Sequence, residues 1–162
     1  MVIPIRVTPR PTANDAVVLE ATAKKLAPQV LQWLGDDSTD LETIVEDLTK
    51  AFRYNDDGYE IAKDLESGPG YCPDAALVEI LNDAVFIKHS ILSKLSEEWV
   101  KHMELKGPEV GTKVKWTKTN PIGKDKIGTV TRNMEDGKSA VAYEGSKGAY
   151  HVNWEDLEIV LA

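Results

Sequence analysis

A change of hydrophobic period at Gly107-Pro108 constrains this chain more than any other feature. Ahead of it, apolar residues recur every three or four positions; beyond it, they alternate. A segment written at the helical period cannot bury its apolar face as a strand, and alternation cannot do so as a helix. The chain is therefore expected to be α+β, with helices segregated ahead of strands. The period marks an extended N-terminal arm over residues 1–11, an acidic helical domain over 12–106 and a small β domain over 109–162. The helical part reads as about four helices, the last of them long.

In the arm, Pro4, Pro9 and Pro11 limit Val2, Ile3, Ile5 and Val7 to a tail or an edge strand. Thr12-x-x-Asp15 predicts a helix start, and Pro28 is expected to kink that helix or begin a second before Gly35 stops it. Thr39-x-x-Glu42 reads as a capping box, with Leu41, Ile44, Val45, Leu48 and Phe52 as the inner face. Asp57 is the expected cap of a short third helix. Pro73 then suits the first position of one helix over 73–105, running to Trp99 and Met103. At ~1.5 Å per residue such a helix is on the order of 45 Å long, more than three short helices cover, so self-association through 73–105 is an expectation.

After Gly107-Pro108 come Val110, Val114 and Trp116, then Ile127 and Val130, Val141 and Tyr143, Tyr150 and Val152, and Ile159 and Leu161, separated by turn signals such as Glu135-Asp-Gly. These five short runs predict a five-stranded antiparallel sheet closed into a barrel, since closure removes exposed edges. Gly111-Thr-Lys-Val-Lys-Trp, Lys126-Ile-Gly-Thr-Val, Ala140-Val-Ala-Tyr and His151-Val-Asn-Trp-Glu-Asp-Leu-Glu-Ile-Val resemble the strand order of KOW, Tudor and Src-homology-3-like small barrels, with Gly128 where KOW segments carry their glycine. The resemblance implies a fold whose members bind RNA, DNA, peptides or modified side chains, or pack against a neighbouring domain. The acidic segment with Asp57-Gly-Tyr-Glu-Ile-Ala and Pro73-Asp-Ala-Ala-Leu-Val-Glu-Ile-Leu loosely resembles uncharacterised accessory proteins of tailed phages, which implies action on a host or viral macromolecule.

Charge is uneven. Residues 1–106 hold 11 Lys/Arg against 19 Asp/Glu, a net of −8, and residues 107–162 hold 8 against 8. An acidic surface repels phosphate backbones, so the expectation is a non-enzymatic protein-binding regulator or adaptor with a protein partner. Solubility alone accounts for such charge equally simply. Candidate partner-binding residues are the aromatics Trp116, Tyr143, Tyr150 and Trp154, expected as a groove or as core filler, and the lysines Lys113, Lys115, Lys124 and Lys126. The lysines carry the alternative, a nucleic-acid-associated factor using a basic barrel edge. A second alternative is mimicry of nucleic acid by Asp36, Asp37, Asp40, Glu42, Glu46, Asp47, Asp56 and Asp57, which would inhibit a DNA-binding protein.

No reactive motif stands out. Gly137-Lys-Ser lacks the earlier glycine of a phosphate-binding loop, because position 132 is Arg132. Asn55-Asp-Asp-Gly-Tyr-Glu lacks the ligand spacing of a calcium loop. His89 and His102 are thirteen residues apart, and Glu98 with His102 makes one i,i+4 pair, short of a zinc set. No catalytic residue, metal or cofactor is assigned, and an enzyme would need an intersubunit site built from Glu98, His102 or Cys72. A single cysteine, no basic segment ahead of an apolar run and no membrane-length apolar stretch lead to a cytoplasmic expectation.

Overall fold

The computed structural model describes residues 9–123 and 126–161. The arm expected over 1–11 lies outside them for its first eight positions, as does Lys124. The chain is α+β and divides into two compact units, one spanning Pro11–Ser93 and the other formed by Arg10 with the residues from Lys94 onward. The division falls inside a helix, whereas the change of period in the sequence falls at Gly107-Pro108. Among the described residues, no helix is long and apolar enough to cross a membrane.

The helical unit contains α1 (Ala16–Leu34), α2 (Leu41–Phe52), α3 (Gly58–Ser67), α4 (Ala75–Asn82) and the part of α5 (Ala84–His102) up to Ser93. Its core is built at three- and four-residue spacing from Leu19, Leu26 and Val30 of α1, Ile44, Leu48 and Phe52 of α2, Ile61 and Leu65 of α3, and Leu77 and Leu81 of α4. Each such side chain removed from water contributes roughly 1.5–3 kcal/mol before entropy is counted.

Aspartates set the helix starts. Asp40, Asp57 and Asp74 accept hydrogen bonds from the first free backbone N–H groups of α2, α3 and α4. Asp57 is the cap expected from sequence, but the other starts differ by a residue or two. In α2 the cap is Asp40 and not Thr39, and in α4 it is Asp74, with Pro73 outside the helix. At the first helix Thr12 bonds the Asp15 carboxylate, as the motif suggests, yet the helix begins only at Ala16. Pro28 lies inside α1 without ending it.

The single helix expected over 73–105 is two helices. Asparagine and aspartate are weak helix-interior residues, and α4 ends at Asn82, with Asp83 as its C-cap, whose N–H reaches Ile80 O at 3.3 Å. The break is tight because the start of α3 presses on it: a Cβ on Gly58 would stand 2.4 Å from Asn82 Oδ1. The far end also comes early. Glu104 takes a left-handed φ of 51°, Glu104 N–H donates to Lys101 O and Leu105 N–H to Val100 O, a Schellman stop three residues before Gly107.

The sheet unit carries β1 (Lys113–Trp116), β2 (Ile127–Asn133), β3 (Lys138–Tyr143), β4 (Ala149–Asn153) and β5 (Leu157–Ile159), in the antiparallel order β4-β3-β2-β1-β5. The expected closed barrel is not formed. The hydrogen-bonded sheet is open, with β4 and β5 as its edges. Over the inner face, Trp116 of β1 and Tyr150 of β4 have ring centroids 6.2 Å apart. Their strands are three spacings apart, ~14 Å in a flat sheet, so the sheet coils strongly over its inner face. That face buries Val114, Val130, Val141, Tyr143, Val152 and Leu157. Gly128 is required there by close approach, since a Cβ would stand 2.5 Å from Val141 Cγ1 and 2.8 Å from the Tyr143 ring. A second small cluster joins Trp99 and Val100 of α5 to Trp154, with the Gly107 backbone laid on the Trp154 indole.

Candidate interaction surfaces

Three of the four candidate aromatics, Trp116, Tyr143 and Tyr150, come together, and Trp154 lies apart from them. Trp154 is 9% exposed and belongs to the cluster with Trp99. Tyr143 is 5% exposed, and burial raises its pKa and leaves its hydroxyl with no partner among the described residues. Both are core. Trp116 and Tyr150 are half-buried and in contact, and Tyr150 meets Tyr143 edge-on with centroids 6.1 Å apart. What stays partly exposed is thus one aromatic pair, Trp116 and Tyr150.

The candidate lysines stand elsewhere. Successive strand residues point to opposite faces, and Val114 and Trp116 face the core cluster, so Lys113 and Lys115 project from the outer face. Lys113 donates to Thr129 Oγ1 at 2.7 Å across the β1–β2 ladder, beside a shallow depression floored by Ala142. Lys126 is exposed just ahead of β2, and Lys118 is paired with Asp156 at 2.8 Å. Cations and half-exposed rings therefore do not share a face on β1.

Of the eight carboxylates considered as a phosphate-like array, five are engaged inside the helical unit. Asp36 accepts from Ser38, Asp40 and Asp57 cap helices, Asp47 accepts from Tyr71 Oη and Asp56 pairs with Lys88. The Ser38 hydroxyl and N–H hold Asp36 below the usual carboxylate range, the Thr43 N–H does so for Asp40, and the Leu77 N–H for Asp74. The tyrosine at Asp47 shifts the other way, with burial first and the carboxylate second raising Tyr71 far above its usual value.

These shifts have a testable sign. Carboxylates whose folded pKa is depressed contribute stability above the unfolded pKa of about 3.9 and lose it as pH falls through the folded value. Asparagine caps as well as aspartate but does not titrate. Asp40→Asn and Asp74→Asn are thus expected to leave the helical unit unchanged at neutral pH and to flatten its loss of stability below about pH 4, as followed by helical circular dichroism during thermal unfolding. A slope unchanged by both variants would place the acid sensitivity elsewhere.

The structure adds a surface that the pattern did not single out. Leu41 and Val45 read as inner-face residues; Val45 is half-buried and packs against the core beside Ile44, Leu48, Ala51 and Phe52, whereas Leu41 is exposed. Leu41 is 43% exposed, and with Val45 and Thr49 it floors a groove of about 760 Å³ whose other wall is Glu20 and Lys24 of α1. The signal was present as a second i,i+4 stripe, 41-45-49, beside the core stripe.

The remaining candidates stay apart. Cys72 is exposed ahead of α4, His89 and His102 are exposed on α5, and Gly137-Lys-Ser lies at the β2–β3 hairpin. Leu77, Leu81 and Ala84 are buried within the helical unit, which takes them out of any continuous stripe over 73–105. Compared with protein-family models, with curated proteins and with solved structures, the chain finds no match.

Proposed function

We propose that the chain is a non-enzymatic protein-binding adaptor whose sheet unit, a relative of the KOW, Tudor and Src-homology-3-like barrels, takes a segment of a protein partner against Trp116 and Tyr150. The observation that carries this reading is the pair itself. Two large rings, half-buried and 6.2 Å apart, stand against the inner-face core of the sheet, with Tyr150 edge-on to the buried Tyr143. Rigid amphipathic rings bury much area at little entropic cost, which is why they anchor protein contacts. A nucleic-acid strand asks for cations and stacking rings along one surface. Lys113 and Lys115 point away from Trp116, which weighs for protein over nucleic acid.

Trp116→Ala and Tyr150→Ala, made singly, are expected to lower capture of the partner from nuclease-treated lysate at least about tenfold, as loss of a central aromatic anchor does. Trp116→Phe should recover part of it. Capture that ignores both substitutions would place the binding surface elsewhere. Capture abolished by nuclease, and falling steeply with salt, would return the lysine face to first place.

A further inference from the structure

The α1/α2 groove has its own ligand chemistry, independent of the sheet. We infer that it receives a basic amphipathic helix of a partner protein. Leu41 and Val45 give it an apolar floor at i,i+4 spacing, and Leu41 is exposed as the first residue after the Asp40 cap, at the end of the helix. From Leu41 to Lys50 the groove runs ~14 Å, the length of two to three helical turns. A docking helix of that length offers two or three apolar anchors at i, i+3 or i+4, and i+7.

Charge decides which helix. Lys24 is held by Glu20 at 2.6 Å and Lys50 sits at the end of the groove, so Glu42 and Glu46, one turn apart, are the charges along its length. The surrounding unit, residues 11–93, carries 16 Asp/Glu against 6 Lys/Arg, a net of −10. The field draws in lysines and arginines flanking the apolar anchors and repels a second copy of the same unit.

The test uses the full-length, isotope-labelled chain and a synthetic helix of about four turns, with leucines at helical spacing and lysine and arginine elsewhere. A scrambled peptide of the same composition is the control. The expected result is micromolar binding of the patterned peptide, chemical-shift changes centred on Glu20, Leu41, Val45 and Thr49, and at least about tenfold weaker binding of the scrambled peptide. Leu41→Ser should weaken binding about tenfold, and Glu42→Gln with Glu46→Gln should weaken it and flatten its salt dependence. Trp116→Ala should leave this affinity unchanged, which separates it from the sheet surface. Equal binding of the scrambled peptide, indifference to both groove variants or shifts centred elsewhere would overturn the inference. So would a concentration-dependent dimer dissolved by Leu41→Ser, which would give the groove to a second copy.

Discussion

Replacing Arg10 by alanine is expected to destabilise the sheet unit by about 3–5 kcal/mol, the range for removing one partner of a buried, hydrogen-bonded ion pair. Arg10 is the anchor of its segment. Its Nε and one terminal nitrogen donate to Glu155 at 2.6 and 3.1 Å, and its terminal nitrogens also donate to the carbonyls of Asp136 and Gly137 at 2.6 and 2.7 Å. The guanidinium lies 4.8 Å from the centre of the Trp99 ring, with the Arg10 and Glu155 side chains 11% and 8% exposed. One planar fork thereby ties the chain ahead of α1 to the β2–β3 hairpin, to the turn Trp154–Asp156 and to the end of α5. Lysine cannot supply that fork, so Arg10→Lys should recover little. Gly137 supports the arrangement from the other side: it has φ +81°, and a Cβ there would stand 2.6 Å from the guanidinium and 2.7 Å from Val100 Cγ2. Urea unfolding followed by tryptophan fluorescence, with Trp33 and Trp116 replaced by phenylalanine, reports on this region through Trp99 and Trp154. An Arg10→Lys variant as stable as the parent would reduce the contact to charge alone.

Arg10 also shows where the sequence stops being legible. Set between Pro9 and Pro11, it belongs to no periodic run, and its partners are more than a hundred residues away. Periodicity sees neighbours on one element, so it located α2, α3 and the five strand runs and was blind to this clasp. The same limit explains the long helix. An uninterrupted apolar stripe from Leu77 to Met103 hides a break after Asn82, where Gly58 of α3 packs closely, and the stop at Glu104 uses a left-handed residue that is not glycine. Closure of the sheet was inferred from the general need to cover edges, whereas the ladder ends at β4 and β5 and Trp116 and Tyr150 meet over the inner face. For the candidate site, the separation of Lys113 and Lys115 from Trp116 was readable in their odd and even positions along β1. The burial of Tyr143 and Trp154 was not, because an aromatic on a strand serves core and groove with the same signature.

The helical unit offers the second large effect, and its size depends on which partner is removed. Lys88, 4% exposed, donates its ammonium to Phe52 O at 3.2 Å, at the last residue of α2, and to the carboxylate of Asp56, whose side chain is 64% exposed. Asp56→Ala leaves a buried ammonium with the Phe52 carbonyl alone of those two acceptors and is expected to cost about 3 kcal/mol. Lys88→Met keeps the volume, removes the buried charge and leaves a carboxylate that water can still reach, so about 1 kcal/mol is expected, the worth of the hydrogen bond to Phe52. The order is the reverse of what exposure alone suggests, since the more exposed residue carries the larger penalty. Urea unfolding followed by helical circular dichroism tests this order. Equal costs for the two variants would show that Asp56 does not neutralise Lys88 and that the Phe52 carbonyl carries the contact.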